Sequence, residues 1–162
     1  MTPMFDHLRK TPWEPTFDWV ETALAAAHQI NKWHEDYPRR VPATQAALAS
    51  EAELPFPISS HLLLRLHTEV FGDQLFAGNW RGVWVRVGLH VPPGPKLIPG
   101  LMEELERAYA QHPLTLDSLE AWYTDFQTIH PYQDGNGRVG GIVVAAYAHA
   151  LEPERGWLAP NQ

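Results

Sequence analysis

Nine consecutive residues, His130-Pro131-Tyr132-Gln133-Asp134-Gly135-Asn136-Gly137-Arg138, bring together a titratable imidazole, a carboxylate, a Gly-Asn-Gly turn and an arginine. Taken singly, each has an ordinary explanation: a histidine before proline ends a helix, Asp-Gly-Asn-Gly makes a turn, and an arginine in a first turn is solvated. At this spacing they outline a phosphate site. The residues after Arg138 have helical character, so the turn opens a helix whose first N–H groups are unpaired and carry partial positive charge. Gly135 and Gly137 let the backbone approach an anion closely. Arg138 adds a charged fork for phosphate oxygens. Asp134 stands where a magnesium ion bridging two phosphates would be held, since magnesium takes one or two protein carboxylates and keeps its waters. His130 has the chemistry of a general base, with an ordinary imidazole pKa near ~6.5 suited to taking a hydroxyl proton at neutral pH.

The elements on either side must place this turn. Thr115 to Ile129 has the clearest helical pattern in the chain, with Leu116, Leu119, Trp122, Tyr123, Phe126 and Ile129 on one stripe and Asp117 near the positive end. It delivers His130 at its tail, and Pro131 stops it. Val139, Ile142, Val143, Ala146 and Leu151 then predict a buried helix, with Gly140-Gly141 expected to loosen its start. Upstream, Ile58 to Phe71 reads as a helix capped by Ser59 or Ser60 and closed by Gly72, and Ile98 to Gln111 as another, ended by His112-Pro113. Between them Trp80, Val83, Trp84, Val85, Val87 and Val91, interrupted by Gly82 and Gly88, predict a short hairpin that Pro92, Pro93 and Pro95 prevent from extending. Pro3, Pro12 and Pro15 make residues 1–15 an irregular arm, a helix follows from Thr16 to before Pro38, and a short one is expected from Thr44 to Glu53.

The bulk properties bound the function. A length of 162 residues suits a single domain, and 44% hydrophobic with 19% charged residues is a globular balance. The formal charge of −7 argues against general nucleic-acid binding, which needs clustered Lys and Arg in excess. With no cysteine, disulfides and thiolate chemistry are excluded, and the scattered histidines lack zinc-site spacing, His28 and His34 reading as helix-surface residues. Met1 to Lys10 holds no apolar signal core and no window approaches the roughly 18–20 apolar residues of a membrane span, so the expectation is a cytoplasmic protein without membrane association.

Residues 130–138 resemble the Fic motif, His-Pro-Phe-x-Asp/Glu-Gly-Asn-Gly-Arg-x-x-Arg, and the likeness extends upstream through Leu66-His67, Phe71-Gly72-Asp73, Ala77-Gly78, Trp80-Arg81 and His90-Val91-Pro92-Pro93. It covers roughly residues 58–151, framed by an N-terminal arm and helix (1–57) and a tail (152–162) within one domain of 162 residues. The resemblance implies a mainly α fold, a Fic-type helical bundle with a β-hairpin flap beside the active-site loop, here Val85, Arg86 and Val87, that lines up a target protein. It also implies transfer of AMP from ATP, with magnesium, to a Ser, Thr or Tyr hydroxyl. On that likeness His130 is the base, Asp134 the magnesium ligand, Asn136 an α-phosphate contact, Gly135 and Gly137 the anion-hole backbone, and Arg138 a β-phosphate contact. Pro131 and Tyr132 are structural, Tyr132 replacing the usual Phe.

Gly141 departs from the motif, standing where its closing arginine should be. In the family that arginine touches the γ-phosphate and pairs with an inhibitory glutamate. Losing such a charge-assisted contact costs about 1.5–3 kcal/mol, roughly ten- to a hundredfold in affinity. No Ser or Thr is followed four residues later by Glu, so inhibition would come from a separate, antitoxin-like protein, as in bacterial toxin–antitoxin pairs of the family. Arg81, Arg86 and Arg155 are the arginines that could replace the missing one in space. Three readings follow: an AMP transferase, a transferase whose nucleotide donor is not ATP, and a nucleotide- or partner-binding module without turnover.

Overall fold

A computed structural model describes residues 56–72 and 74–152. The arm, the helix expected from Thr16, the short one expected from Thr44 and the tail beyond Glu152, with Arg155, lie outside the described residues. Helix α1 spans Ser60–Phe71, α2 Ile98–Ala108 after a single 3-10 turn at Pro95–Leu97, α3 Leu116–Ile129 and α4 Asn136–Leu151. The mainly α reading holds, and no helix among the described residues is long and apolar enough to cross a membrane.

Helices α1 and α3 start where a short polar side chain takes an orphan backbone donor. The Leu62 N–H donates to Ser59 Oγ at 3.0 Å. At α3 the Ser118 N–H donates to Thr115 Oγ1 at 3.0 Å while the Thr115 N–H donates to Ser118 Oγ at 2.9 Å, a reciprocal capping box. Helix α1 ends at Gly72, φ 57°, whose N–H reaches Thr68 O at 2.7 Å. Helix α2 stops at Ala108, short of Gln111, because the backbone leaves the helical region at Tyr109; its phenol donates to Asp125 Oδ2 of α3 at 2.8 Å.

Helix α4 is the centre of the molecule. Val139, Ile142, Val143, Val144, Ala146, Tyr147 and Ala148 are all buried, as in a helix covered on every side. Leu62, Leu63 and Leu66 of α1, Met102 and Leu105 of α2, and Leu119, Trp122, Tyr123 and Phe126 of α3 complete one core. Full burial of one such side chain contributes about 1.5–3 kcal/mol. The expected loosening at Gly140-Gly141 does not occur, and α4 runs through both. A Cβ at Gly140 would lie 2.9 Å from Gln127 Nε2 and 3.0 Å from the rings of Phe126 and Tyr123, so the bare glycine is what lets α4 press against α3. Packing outweighs helix propensity there.

Residues 80–93 depart from the expected hairpin. A single antiparallel bridge, with Val87 and His90 exchanging two 2.9 Å hydrogen bonds around Gly88 (φ 59°), replaces a ladder, and no strand forms among the described residues. The physical reason lies at the base of the segment. The carbonyls of Val83 and Pro93 both bond the Arg81 guanidinium, so a side chain rather than strand pairing closes the loop.

The two glycines of α4 generate opposite expectations. Gly140→Ala should lower stability by about 1–3 kcal/mol through overpacking. Gly141→Ala, whose Cβ meets nothing within 4 Å among the described residues, should raise it by about 0.5–1 kcal/mol through helix propensity. Urea denaturation of the two variants beside wild type checks both signs.

Candidate active site

Helix α3 ends on a left-handed residue. His130, φ 53° and ψ 63°, is the one non-glycine with positive φ among the described residues, a conformation that persists where surroundings over-determine it. Its N–H bonds Phe126 O at 2.9 Å, its carbonyl accepts from Arg81 Nε at 2.7 Å, and the next carbonyl, Pro131 O, accepts from the Arg81 N–H at 2.9 Å. These bonds turn the chain away from α3 while leaving the imidazole at the mouth of a cavity.

The loop closes on itself next. The Tyr132 N–H donates to Asn136 Oδ1 at 2.9 Å, and Asn136 Nδ2 donates back to Tyr132 O at 2.8 Å, with Asn136 only 3% exposed. Tyr132 is fully buried, stacked on His67 at 4.1 Å and on Trp80 at 5.5 Å. Its hydroxyl, the addition over a phenylalanine, donates to Leu63 O at 2.8 Å and is therefore satisfied in the core. Burial raises its pKa well above the ordinary phenol value.

Gly135 then takes φ 91° and caps α4 without a side chain, while its own N–H donates to Asp134 Oδ1 at 2.8 Å. A Cβ there would fall 2.2 Å from the Phe71 ring, so only glycine fits. The Arg138 guanidinium lies over the other part of this arrangement, 4.5 Å from the Phe71 ring centroid and with Nη2 3.2 Å from Asp134 Oδ1. Together His130, Gln133, Asp134, Gly135, Asn136, Gly137 and Arg138 line a cavity of about 150 Å³. Its lining thus includes an imidazole, a carboxylate, a guanidinium and a helix N-terminus.

Burial, then the charges of Arg81 and His90, hold the His130 imidazole below its ordinary pKa of 6.5, opposed by a hydrogen bond to the Gln127 backbone. His130 is thus neutral at neutral pH and able to accept a proton. His67 is neutral for a stronger reason. Its Nδ1 accepts the Gly78 N–H at 2.9 Å, which places the proton on Nε2, and Nε2 donates to Asp134 O at 2.9 Å. Burial is the main cause of its lowered pKa, followed by the Asp134 contacts that oppose it. The ring thereby pins the loop between Asp134 and Gly135 from beneath.

Every motif position from His130 to Arg138 except Pro131 and Tyr132 faces the cavity, and Val85, Arg86 and Val87 stand apart on the flanking segment. Arg86 Nε donates to Gly88 O at 2.9 Å, so Arg86 serves its own turn rather than replacing a phosphate ligand. Arg81 likewise has its guanidinium on backbone carbonyls. Two contributors were given no such role from the sequence: His67, which stood within the likeness and on the apolar stripe of α1, and Arg81, whose role depends on carbonyls distant in sequence.

The family model for the Fic/DOC family matches residues 57–148. The chain belongs to this family. It is 36% identical over 90 residues to "Protein adenylyltransferase Fic" of Drosophila ananassae, a match covering 51% of this chain and 18% of that protein. It is 38% identical over 88 residues to the protein of the same name from Drosophila persimilis, covering 51% and 17%. The chain thus spans under a fifth of the length of these relatives. Among solved structures, a Fic family protein from Desulfovibrio desulfuricans G20 superimposes with a TM-score of 0.56 at 21% identity, over 84% of this chain and 47% of that one, which shows the shared fold.

Two outcomes are expected of the Fic loop. Gly135→Ala should cost about 1–3 kcal/mol from strained φ and the Phe71 clash, read by thermal denaturation. The second concerns His67, whose folded pKa lies below 6.5. The unfolded chain binds the proton more readily, so its contribution to stability is complete above pH 6.5 and is lost as pH falls below that value. Melting temperatures of wild type should therefore drop on acidification below pH 6.5 more steeply than those of His67→Gln.

Proposed function

We propose that this Fic-family site transfers AMP, or a related phosphate-containing group, from a nucleotide to a hydroxyl side chain of a target protein. The observation that carries the reading is the neutral His130 imidazole sharing one small cavity with the open N-terminus of α4 and the Asp134–Arg138 pair. The names of the relatives, protein adenylyltransferases, support the same reading.

In the proposed reaction His130 takes the proton of the target hydroxyl as its oxygen bonds the α-phosphorus and the bond to the leaving phosphate or pyrophosphate breaks. Charge growing on the phosphoryl oxygens falls on the first N–H groups of α4, including those of Gly137 and Arg138, and the leaving group falls to the Arg138 guanidinium. The Asn136 side chain is engaged at both ends by Tyr132. Its contribution to the α-phosphate is therefore a backbone N–H and a fixed loop. Asp134, with a side chain 58% exposed, fits a magnesium ion of the kind that takes one protein carboxylate and completes its shell with phosphate and water. Among the described residues no group of three or more acidic or imidazole side chains could hold a metal alone. Bound there, magnesium would supply neutralisation of the phosphates.

Gly141 motivates a second reading of the donor. A Cβ at this position meets nothing within 4 Å among the described residues, so none of their side chains takes the position next to the glycine. A nucleotide that needs no γ-phosphate contact, such as a nucleoside diphosphate derivative, suits a site that lacks the arginine. A site that binds without turnover is the outcome left if no transfer is found.

The test follows α-labelled ATP, with magnesium, into protein in wild type, His130→Ala, Asp134→Asn and Gly141→Arg. His130→Ala should lose label by roughly 10²–10⁴-fold, Asp134→Asn should need far more magnesium, and Gly141→Arg should gain. Label in the Gly141→Arg variant alone would move the donor away from ATP, and equal incorporation by wild type and His130→Ala would overturn the transferase reading.

A further inference from the structure

Arg81 is 3% exposed, and its guanidinium is bonded entirely to backbone. Nε donates to His130 O at 2.7 Å and Nη2 to Ile129 O at 3.1 Å, both at the carboxyl end of α3. Nη1 donates to Val83 O at 2.9 Å, and Nη2 also reaches Pro93 O at 2.6 Å. The backbone N–H of the same residue holds Pro131 O at 2.9 Å. One side chain therefore joins the two ends of the segment 83–93 to the last carbonyls of α3 and to the turn that presents His130.

The chemistry explains why arginine does this. The final carbonyls of a helix have no partner within it and gather partial negative charge, so a buried cation there is favourable. A planar fork with five N–H donors can reach carbonyls on two sides at once, whereas an ammonium is a compact point charge. We infer that Arg81 is a positioning residue that couples the placement of the flanking segment 83–93 to the left-handed conformation of His130. A displacement of the segment pulls on the Val83 and Pro93 carbonyls, and the same guanidinium transmits it to the His130 carbonyl. The anion loop is outside this linkage, because Tyr132, Asn136 and His67 hold it separately.

The calorimetric and kinetic arms of the test rest on the transferase reading, and the spectroscopic arms do not. In Arg81→Gln the His130 imidazole titration, followed by NMR, should move upward as a positive neighbour and an enclosing contact are lost, and in Arg81→Lys, which keeps the charge but not the fork, it should move upward by less. Hydrogen exchange of the Val87 and His90 amides, which bond each other, should accelerate in parallel. Affinity for ATP with magnesium, measured by calorimetry, should stay near wild type. In transfer assays kcat/KM for the target should fall by roughly 10²-fold, the scale of a displaced catalytic group. Folded variants with an unchanged His130 titration and unchanged Val87 and His90 exchange would overturn the proposal, whatever the transfer assay shows. Absence of transfer by wild type, with both spectroscopic shifts present in the variants, would count against the transferase reading and leave Arg81 in its role.

If both variants unfold, native-state exchange of wild type in a denaturant series decides. The coupling requires the amides of Arg81, His130, Val87 and His90 to open in one step with one denaturant dependence. Independent opening of the Val87–His90 pair and of the His130 turn would overturn it.

Discussion

The two-way bond between the Asn136 amide and the backbone of Tyr132 is the constraint on which the site depends. It spans only four residues, yet it fixes where α3 stops relative to where α4 starts. With it in place, the carboxyl end of α3 and the amino end of α4 meet across one short loop, so a histidine from the first and the first turn of the second line the same cavity. An amide is suited to the task because it donates and accepts at once, which an ionised carboxylate or an ammonium cannot do. Buried at 3% exposure, the pair competes with little water, and each unmade bond would leave a desolvated backbone group costing about 1–3 kcal/mol.

Around that closure the core supplies the shape. Tyr132 lies between His67 and Trp80, with Phe126 at its edge, so the loop is held by ring faces as well as by hydrogen bonds. His67 belongs to both systems, stacking on Tyr132 while bonding the Asp134 carbonyl and the Gly78 N–H. Phe71 does the same for the charged part, filling the space beside Gly135 and lying under the Arg138 guanidinium. A chain of net charge −7 thus places a guanidinium, that of Arg138, and a helix terminus at one small cavity.

Much of this was legible in the sequence, and what was not follows a pattern. Capping is local: Ser59, Thr115 with Ser118, and Gly72 act within a few residues of themselves, so the starts of α1 and α3 and the end of α1 can be read directly. The nine-residue loop is equally local, and its residues could be grouped as one candidate site from their types and order; all but Pro131 and Tyr132 line one cavity. The flanking segment was misjudged in detail because β-branched and aromatic residues describe a preference for strands. What closes the segment is Arg81, at carbonyls 12 and 48 residues away. Gly140 reads as a weak point until the rings of Phe126 and Tyr123 are set against it. In each case the missing information is a contact between elements, which residue type and spacing do not carry.

The ion pair in the cavity shows how the site can be both ordered and open to a ligand. Arg138 is 5% exposed and rests on the Phe71 ring, whereas the Asp134 side chain is 58% exposed. Solvent screens such a pair, so it contributes on the order of 0–1 kcal/mol. Its loss when Asp134 turns to another partner is small beside what an anion gains from a buried guanidinium and a helix N-terminus. On the proposed reading, the half of the pair that would hold the anion is packed, and the half that would turn to a metal is solvated. That division follows from the sequence itself: Asp134 falls within the loop, before the left-handed glycine, while Arg138 falls in the first turn of α4, a helix the core surrounds.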